Sequence, residues 1–228
     1  MQFFKEIYHL FFPKVCLCCK EQLLKNEIIV CLKCRFELPV TNFTEEINNK
    51  VEQTFFGRIP IEYGTALLFY KTKGISQQLI YQLKYYGHQE VGVFLGDWLG
   101  HELKKSKRFT GVDCIVPVPL HVKKLKERGY NQLTTFGLSL SKIIGAIYVE
   151  DILVRKSVTE TQTLKKRFDR WKNVQEIFHL TDVKRFENMH ILLIDDVITT
   201  GATLEACALQ LLKSNNIKLS IATMTYTE

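Results

Sequence analysis

The sequence contains no apolar run of the roughly 18 to 20 residues that a membrane-spanning helix needs. It has no internal repeats and no low-complexity tract, which excludes solenoid and fibrous proteins. The apolar start, Met1 to Val15, is interrupted by Lys5 and Glu6. It also lacks the basic lead-in and small-residue cleavage site of a signal peptide. We therefore expect a cytoplasmic protein with no membrane span.

Charge is unevenly distributed along the 228 residues, whose net charge is +7. The segment from Lys104 to Lys172 has 16 Lys and Arg against 6 Asp and Glu, a balance of +10, so the rest of the chain sums to −3. A surplus of this size suits a polyanionic ligand, such as a pyrophosphate ester or nucleic acid. For any single lysine, a solvated surface is the alternative.

Five of the seven cysteines fall between Cys16 and Cys34. A secreted disulfide scaffold would spread its cysteines through the fold, so the clustering indicates a metal site. Cys16-x-x-Cys19 and Cys31-x-x-Cys34 can close a tetrahedral Zn²⁺ site, and four thiolates leave no open position for catalysis. We expect a structural zinc. Cys18 could replace Cys16 or Cys19, and reduced thiols without metal are the alternative.

The chain divides into two predicted units. Residues 1–57 carry the cysteine cluster and a polar linker, and residues 58–228 alternate strand-like and helix-like segments. Predicted strands are Gly64–Tyr70, Val112–Leu120, Val149–Arg155, Ile191–Ile194 and Leu219–Tyr226. Predicted helices are Ile75–Tyr86, Val91–Leu103, Gln132–Ile144 and Leu204–Lys213. The alternation predicts an α/β fold, with a mainly parallel sheet and helices on both faces.

The most informative segment runs from Ile191 to Thr203. Four apolar residues form a strand, Asp195 and Asp196 follow at its carboxyl end, and a loop of Thr, Gly and Ala leads into a helix. Open α/β sheets bind ligands at this edge, and backbone N–H groups at the start of a helix hold phosphates. The alternative is an ordinary polar turn in which Thr203 caps the helix.

This segment resembles the signature of type I phosphoribosyltransferases. The resemblance implies a phosphoribosyltransferase-like sheet that binds 5-phosphoribosyl-1-pyrophosphate together with Mg²⁺. It also implies that Asp195 and Asp196 hold the ribose hydroxyls and act in catalysis. The loop would cradle the 5′-phosphate through Val197, Thr199, Thr200, Gly201, Ala202 and Thr203.

A second segment, Pro117-Val118-Pro119-Leu120-His121 followed by a basic stretch ending Arg128-Gly129-Tyr130-Asn131-Gln132, is similar to the ComF family, which includes the GntX-type proteins. We expect a basic loop between the buried strand and the next helix. The resemblance implies that this loop holds the pyrophosphate through Val118, Pro119, Leu120, His121, Arg128 and Asn131, with Arg128 stabilising the leaving group. Family members usually have a proline at Val122. An exposed basic loop without a ligand is the alternative.

The family resemblance extends to both ends of the chain. A Thr-x-x-Gln element implies a mobile lid over the site, and the candidate lid residues are Arg155, Lys156, Gln162 and Arg170; Leu164 and Lys165 depart from the family pattern. A charged surface helix is the alternative. The family also carries a four-cysteine, zinc-ribbon-like arrangement at its amino terminus.

Two functions remain open at this point. The first is a phosphoribosyltransferase with an unknown acceptor. The second is a non-catalytic protein that binds single-stranded DNA or DNA-uptake proteins, because the ComF family is linked to natural transformation. The zinc unit would then supply basic and aromatic contacts through Lys14, Lys20, Lys25, Lys33, Arg35, Phe11, Phe12 and Phe36.

Overall fold

A parallel sheet forms the centre of the computed structural model, which describes residues 13–155 and 177–228. The strands are β1 (Gly64–Phe69), β2 (Cys114–Pro117), β3 (Ile147–Tyr148), β4 (Leu153–Arg155), β5 (Phe178–Leu180), β6 (His190–Ile198) and β7 (Lys218–Tyr226). Five of them pair in parallel in the order β1-β7-β6-β2-β3, and β4 and β5 form a separate antiparallel pair. Residues 191–194 of β6 are fully buried, as expected for a strand covered on both faces.

Seven α-helices occur in the described residues. They are α1 (Leu32–Phe36), α2 (Lys50–Phe55), α3 (Ile75–Tyr85), α4 (Glu90–Lys105), α5 (Val122–Arg128), α6 (Gln132–Ile144) and α7 (Ala202–Leu211). None of the helices in these two ranges combines the length and apolar content needed to cross a bilayer. The predicted α/β fold, with a mainly parallel sheet between helices, is confirmed.

Helix α5 replaces the basic loop that the sequence predicts after β2, so that prediction is wrong. Lys, Leu, Glu and Arg all have high helix propensity. His121 begins the helix by accepting a hydrogen bond from the Lys123 N–H at 3.1 Å. Gly129 ends it with a positive φ of 75°. The basic side chains therefore lie on a capped helix that follows β2.

Glycines on one face of α4 allow α6 to pack closely against it. A Cβ added at Gly92 would lie 2.1 Å from Thr135 Oγ1, and one added at Gly96 would lie 2.7 Å from the Phe136 carbonyl oxygen. The two helices can approach closely only because these side chains are missing. The packing fixes the position of Gln132, the first residue of α6.

The amino-terminal segment contacts the sheet domain at several places. The Arg35 guanidinium lies 5.7 Å from the ring centres of Phe94 and Trp98 on α4. Asn49 caps α2 and donates from Nδ2 to the Gly64 carbonyl oxygen at 2.8 Å. The division into units 1–57 and 58–228 remains a prediction.

Candidate functional site

The carboxyl end of β6 extends beyond its neighbour β2. Strand β2 ends at Pro117, opposite Ile194, and the Val118 N–H donates to the Ile194 carbonyl oxygen at 2.9 Å. Beyond that point β6 continues to Ile198 and pairs only with β7. The direction in which the chain crosses the sheet also changes here. From β6 the chain continues to β7 on one side, whereas from β2 it continues to β3 on the opposite side. Open α/β sheets bind ligands in the crevice at such a switch point.

Asp196 faces the helices α3 and α6. Lys84 on α3 places Nζ 2.8 Å from Asp196 Oδ1, and Gln132 Nε2 donates to Asp196 Oδ2 at 2.7 Å. The Asp196 side chain is buried, and its backbone oxygen accepts a hydrogen bond from Thr225 Oγ1 at 3.0 Å. Each carboxylate oxygen has further lone pairs, so the carboxylate is held in place and can still accept a hydroxyl.

Asp195 lies on the opposite face of the strand, because successive side chains of a strand alternate. The residue is half-buried, and its Oδ1 accepts from the Asp196 N–H at 2.8 Å. Burial, together with the neighbouring Asp196 charge, raises the pKa of Asp195 to about 8, although Lys84 and Lys124 oppose the shift. On α7, burial and the Asp195 charge raise the pKa of the Cys207 thiol, which is inaccessible to solvent.

The loop after β6 presents backbone donors at the start of α7. Thr199 and Thr200 are exposed, and Gly201 has φ 74° and precedes the helix. No side chain caps α7; the Ala202 N–H reaches only Thr200 Oγ1, at 3.5 Å. Thr203 lies inside the helix and is not its cap, in contrast to the alternative considered above. The N–H groups of this first turn are therefore available to an anion.

Two residues of the amino-terminal segment brace this loop. The Arg58 guanidinium donates to the Thr200 carbonyl oxygen at 2.8 Å and to the Thr54 carbonyl oxygen at 2.9 Å, and it forms an ion pair with Glu205 on α7. A Cβ added at Gly201 would lie 2.9 Å from Cε1 of the buried Phe55. The backbone at Gly201 therefore packs directly on this aromatic ring.

The segment after β2 begins beside Ile194, the residue that precedes Asp195 on β6. Val118 is buried, Pro119, Leu120 and His121 are partly exposed, and His121 starts α5. Asn131 caps α6 by accepting from the Leu133 N–H at 3.1 Å. Asn131, which the sequence predicts as a ligand residue together with Arg128, therefore also has a structural role.

A basic cavity of about 270 Å³ opens between α3 and α5, lined by Lys84, Tyr85, Gly87, Lys124, Glu127, Arg128 and Tyr130. Arg128 stacks 5.3 Å above the Tyr85 ring and donates to Gln132 Oε1 at 2.7 Å. Because Gln132 in turn holds Asp196, the cavity and the Asp pair share one hydrogen-bond network. Three cationic side chains favour an anionic ligand here.

The predicted lid residues are largely outside the described part of the chain. Lys156, Gln162 and Arg170 fall there. Arg155 ends β4, with its guanidinium 5.4 Å from the Phe178 ring centre. Its buried Nε has no hydrogen-bond partner among the described residues, and burial lowers the pKa of the guanidinium.

The four predicted metal ligands come together. The Sγ atoms of Cys16, Cys19, Cys31 and Cys34 all lie within 4.8 Å of one another, and Cys19 and Cys31 are 3.7 Å apart. A tetrahedral site with Zn–S bonds of about 2.3 Å requires sulfurs about 3.8 Å apart. The cluster can thus hold a metal ion. Cys18 does not belong to it.

Hydrogen bonds from the backbone favour the thiolate form of Cys16, whereas burial raises the pKa of Cys34. The Cys31 N–H donates to Cys16 Sγ at 3.3 Å, and the Cys34 N–H donates to Cys31 Sγ at 3.4 Å. Burial raises the pKa of Cys16, but backbone N–H groups outweigh it and lower the pKa to about 6. Burial raises the pKa of Cys18 to about 12, so this residue remains a thiol.

Known proteins similar to this chain carry names that refer to DNA utilization or to competence. The DNA utilization protein YhgH of Salmonella typhi is 30% identical over 139 residues, which are 60% of this chain and 60% of that protein. The competence protein F of Haemophilus influenzae is 34% identical over 104 residues, 45% of each chain. The competence protein ComFC of Bacillus subtilis is 26% identical over 225 residues, 87% of this chain and 89% of the relative. The chain is a homologue of these competence proteins. The predicted family resemblance is thereby confirmed.

The chain spans about 60% of the length of the DNA utilization proteins that it matches. No protein-family model matches it. Solved structures similar to it include the glutamine phosphoribosylpyrophosphate amidotransferase of B. subtilis, with TM-score 0.42 and 14% identity over 62% of this chain and 30% of that one. The adenine phosphoribosyltransferase of Saccharomyces cerevisiae has TM-score 0.39 and 16% identity over 62% and 72%.

The sequence analysis missed four residues that shape the site: Lys84, Gln132, Phe55 and Arg58. Gln132 ends the basic segment that resembles the family, so the resemblance contained a signal for it. Phe55 and Arg58 had none, because their role depends on a contact across more than 140 positions of the chain.

Proposed function

We propose that this protein binds 5-phosphoribosyl-1-pyrophosphate with Mg²⁺ at the end of β6 and transfers the phosphoribosyl group to an acceptor. The observation that carries the proposal is the arrangement around the extended end of β6. The Asp pair and the uncapped start of α7 follow one another at the end of β6, and hydrogen bonds from Asp196 through Gln132 to Arg128 connect them to the basic cavity. These groups match a ribose, a phosphate and a pyrophosphate respectively.

Each part of the ligand has a chemical counterpart in the site. Asp195 and Asp196 accept hydrogen bonds from the two ribose hydroxyls. The segment from Val197 to Thr203 holds the 5′-phosphate through backbone N–H groups and threonine hydroxyls. The pyrophosphate lies against the segment from Val118 to His121, within reach of Arg128.

The reaction breaks the bond between the anomeric carbon and the pyrophosphate oxygen, and the acceptor nucleophile forms the new bond to that carbon. Negative charge accumulates on the departing pyrophosphate. Arg128 and Lys124 supply preorganised positive charge where it develops. The candidate lid residues, Arg155 among them, would exclude water.

Both proposed metals fit the residues that are present. Mg²⁺ takes oxygen ligands, mostly from its substrate and from water, and the half-buried Asp195 carboxyl group, which would release its proton when the ion binds, has no ion-pair partner among the described residues. Zn²⁺ fits the four sulfurs, which leave no open coordination position, and its role is structural. Because the thiols must be reduced to bind zinc, the proposal includes a cytoplasmic location.

The relatives' names connect the proposed chemistry to DNA uptake in natural transformation. We therefore propose that the transfer serves a protein of that process, and single-stranded DNA and DNA-uptake proteins are its proposed partners. A non-catalytic binding protein on the same scaffold is the second candidate, and the network from Arg128 to Asp196 argues for the first. A protein that only bound DNA would have no use for a buried carboxylate held in position at the crevice.

The test is a calorimetric titration of the full chain with Mg²⁺ and phosphoribosyl pyrophosphate. Asp196→Asn should weaken binding about tenfold or more, because a charged hydrogen bond contributes about 1.5 to 3 kcal/mol. The matched control, Asp151→Asn, removes an exposed carboxylate and should leave binding unchanged. Equal affinity in Asp196→Asn and wild type would refute the assignment. Labelled phosphoribosyl pyrophosphate added with cell extract then separates the two candidates, since only a transferase yields a ribosylated product.

A further inference from the structure

Three tyrosines form an exposed cluster at the carboxyl end of α3. The rings of Tyr81, Tyr85 and Tyr86 are 50%, 62% and 63% exposed. The ring centre of Tyr81 lies 4.6 Å from that of Tyr85 and 5.7 Å from that of Tyr86. These residues contribute little to the core, so a patch of three solvent-facing rings indicates an interaction site. We refer to them as the tyrosine cluster.

Helix α5 adjoins the tyrosine cluster and is strongly basic. It carries Lys123, Lys124, Lys126 and Arg128 against a single acid, Glu127. The three lysines are exposed, and none forms an ion pair within residues 13–155 and 177–228. Arg128 connects the two elements, because its guanidinium stacks on Tyr85. Arg128 and Lys124 therefore adjoin the tyrosine cluster directly, and Lys123 and Lys126 extend the positive charge around the rest of the helix.

A partner for this surface must offer repeated negative charge and flat rings together. An acidic polypeptide supplies only the charge, and a duplex keeps its bases stacked inside. Single-stranded nucleic acid supplies both, because its phosphates pair with lysines while its unstacked bases lie against aromatic side chains. We propose that the tyrosine cluster and α5 form the surface that binds single-stranded nucleic acid, which rests on the partner class named in the proposed function.

The zinc unit is a weaker candidate for this role, although the sequence favoured it. Its basic residues from Lys14 to Arg35 alternate with the acids Glu21 and Glu27. The Arg35 guanidinium already stacks on the rings of Phe94 and Trp98 on α4. Among its described residues, the exposed rings are Phe36 and Phe56, and neither stacks on another described aromatic ring.

The surface can be tested without touching the proposed phosphoribosyl site. Tyr85, Lys124 and Arg128 line the basic cavity and stay unchanged. One variant combines Tyr81→Ala with Tyr86→Ala, and its conservative counterpart has Phe at both positions. A second variant combines Lys123→Gln with Lys126→Gln. The matched control carries Lys20→Gln and Lys33→Gln in the zinc unit.

The measurement is fluorescence anisotropy of a labelled oligothymidylate over a series of salt concentrations. The Ala pair should lose at least about fivefold in affinity, since stacking on one aromatic residue contributes about 1 to 3 kcal/mol, whereas the Phe pair should retain binding. The Gln pair on α5 should reduce the slope of log K against log salt by about 1.4, because each phosphate contact contributes about 0.7. The control pair should keep the wild-type slope.

The proposal would be overturned if the wild-type protein did not bind the oligothymidylate, or if the Ala pair bound it with unchanged affinity. It would also be overturned if the salt slope fell in the zinc-unit control but not in the α5 variant. Finally, polyglutamate that competed as well as unlabelled oligothymidylate would show that the surface recognises charge alone. A parallel calorimetric titration with phosphoribosyl pyrophosphate should be unchanged in all variants. Failure of the nucleic-acid surface and failure of the proposed function are therefore distinguishable.

Discussion

Replacing Gly201 by alanine tests whether the loop after β6 depends on its contact with Phe55. Two costs arise. The positive φ of 74° costs a residue with a Cβ about 1 to 2 kcal/mol. The new methyl group would also lie 2.9 Å from Phe55 Cε1 and 3.0 Å from Thr54 Cγ2. Overpacking of this kind costs about 1 to 3 kcal/mol more.

Gly145→Ala is the matched control, because it isolates the backbone cost. Gly145 has φ 79° at the end of α6, and an added Cβ would meet nothing within 4 Å. Both variants change the unfolded chain in the same way, so this contribution cancels. The difference in unfolding free energy between them should therefore be the Phe55 contact alone, about 1 to 3 kcal/mol.

Urea unfolding with zinc held constant measures the two free energies, and equal m-values show that the unfolded states are comparable. A double-mutant cycle with Phe55→Leu supplies the second check. The smaller side chain should relieve the clash, so the double variant should be less unstable than the sum of the single variants. If Gly201→Ala costs no more than Gly145→Ala, or if the cycle shows no coupling, the inferred packing is wrong.

Two further predictions concern the metal and the titration of the Asp pair. Elemental analysis should find one zinc per chain, and a chelator should lower the unfolding temperature; a folded, metal-free protein with reduced thiols would contradict this. Asp195, whose pKa rises from 3.8 to about 8, keeps a proton in the folded state that the unfolded chain releases. Its stabilising contribution is complete below about pH 4 and is lost as pH rises through about 8, so wild type should lose more stability between pH 5 and 8 than Asp195→Asn in thermal melts. Parallel pH profiles for the two proteins would contradict the assigned shift.

The sequence predicted the four longest helices, α3, α4, α6 and α7, because the spacing of apolar residues that indicates a helix is a local property, but it did not predict α1, α2 or α5. The apolar spacing of Gln132–Ile144 matches α6 at both ends, and Gly64–Tyr70 exceeds β1 by one residue. The end of β6 could not be predicted, since the strand continues through two aspartates only because β7 pairs with it. For α5, a high local charge suggested a loop, but helix propensity and the caps at both ends decide the outcome.

In the candidate site, too, features set by local sequence could be predicted and features set by tertiary contacts could not. The Asp pair, the loop at Gly201 and the cysteine cluster are contiguous motifs, and their residue types indicate their chemistry directly. Lys84 and Gln132 become partners of Asp196 only after α3 and α6 fold onto the same face of the sheet. Spacing along one chain does not contain this information.

The three contacts of Arg58 affect how variants of this protein should be interpreted. The residue stands at the boundary between the predicted units, a position where a sequence-based scan would tolerate almost any polar residue. Its planar guanidinium satisfies two carbonyl oxygens and one carboxylate at once. A lysine offers a single point charge and cannot reproduce that fork. A fragment that starts beyond residue 58 would likewise lack both Arg58 and the Phe55 ring, so its loop after β6 would not represent that of the whole chain.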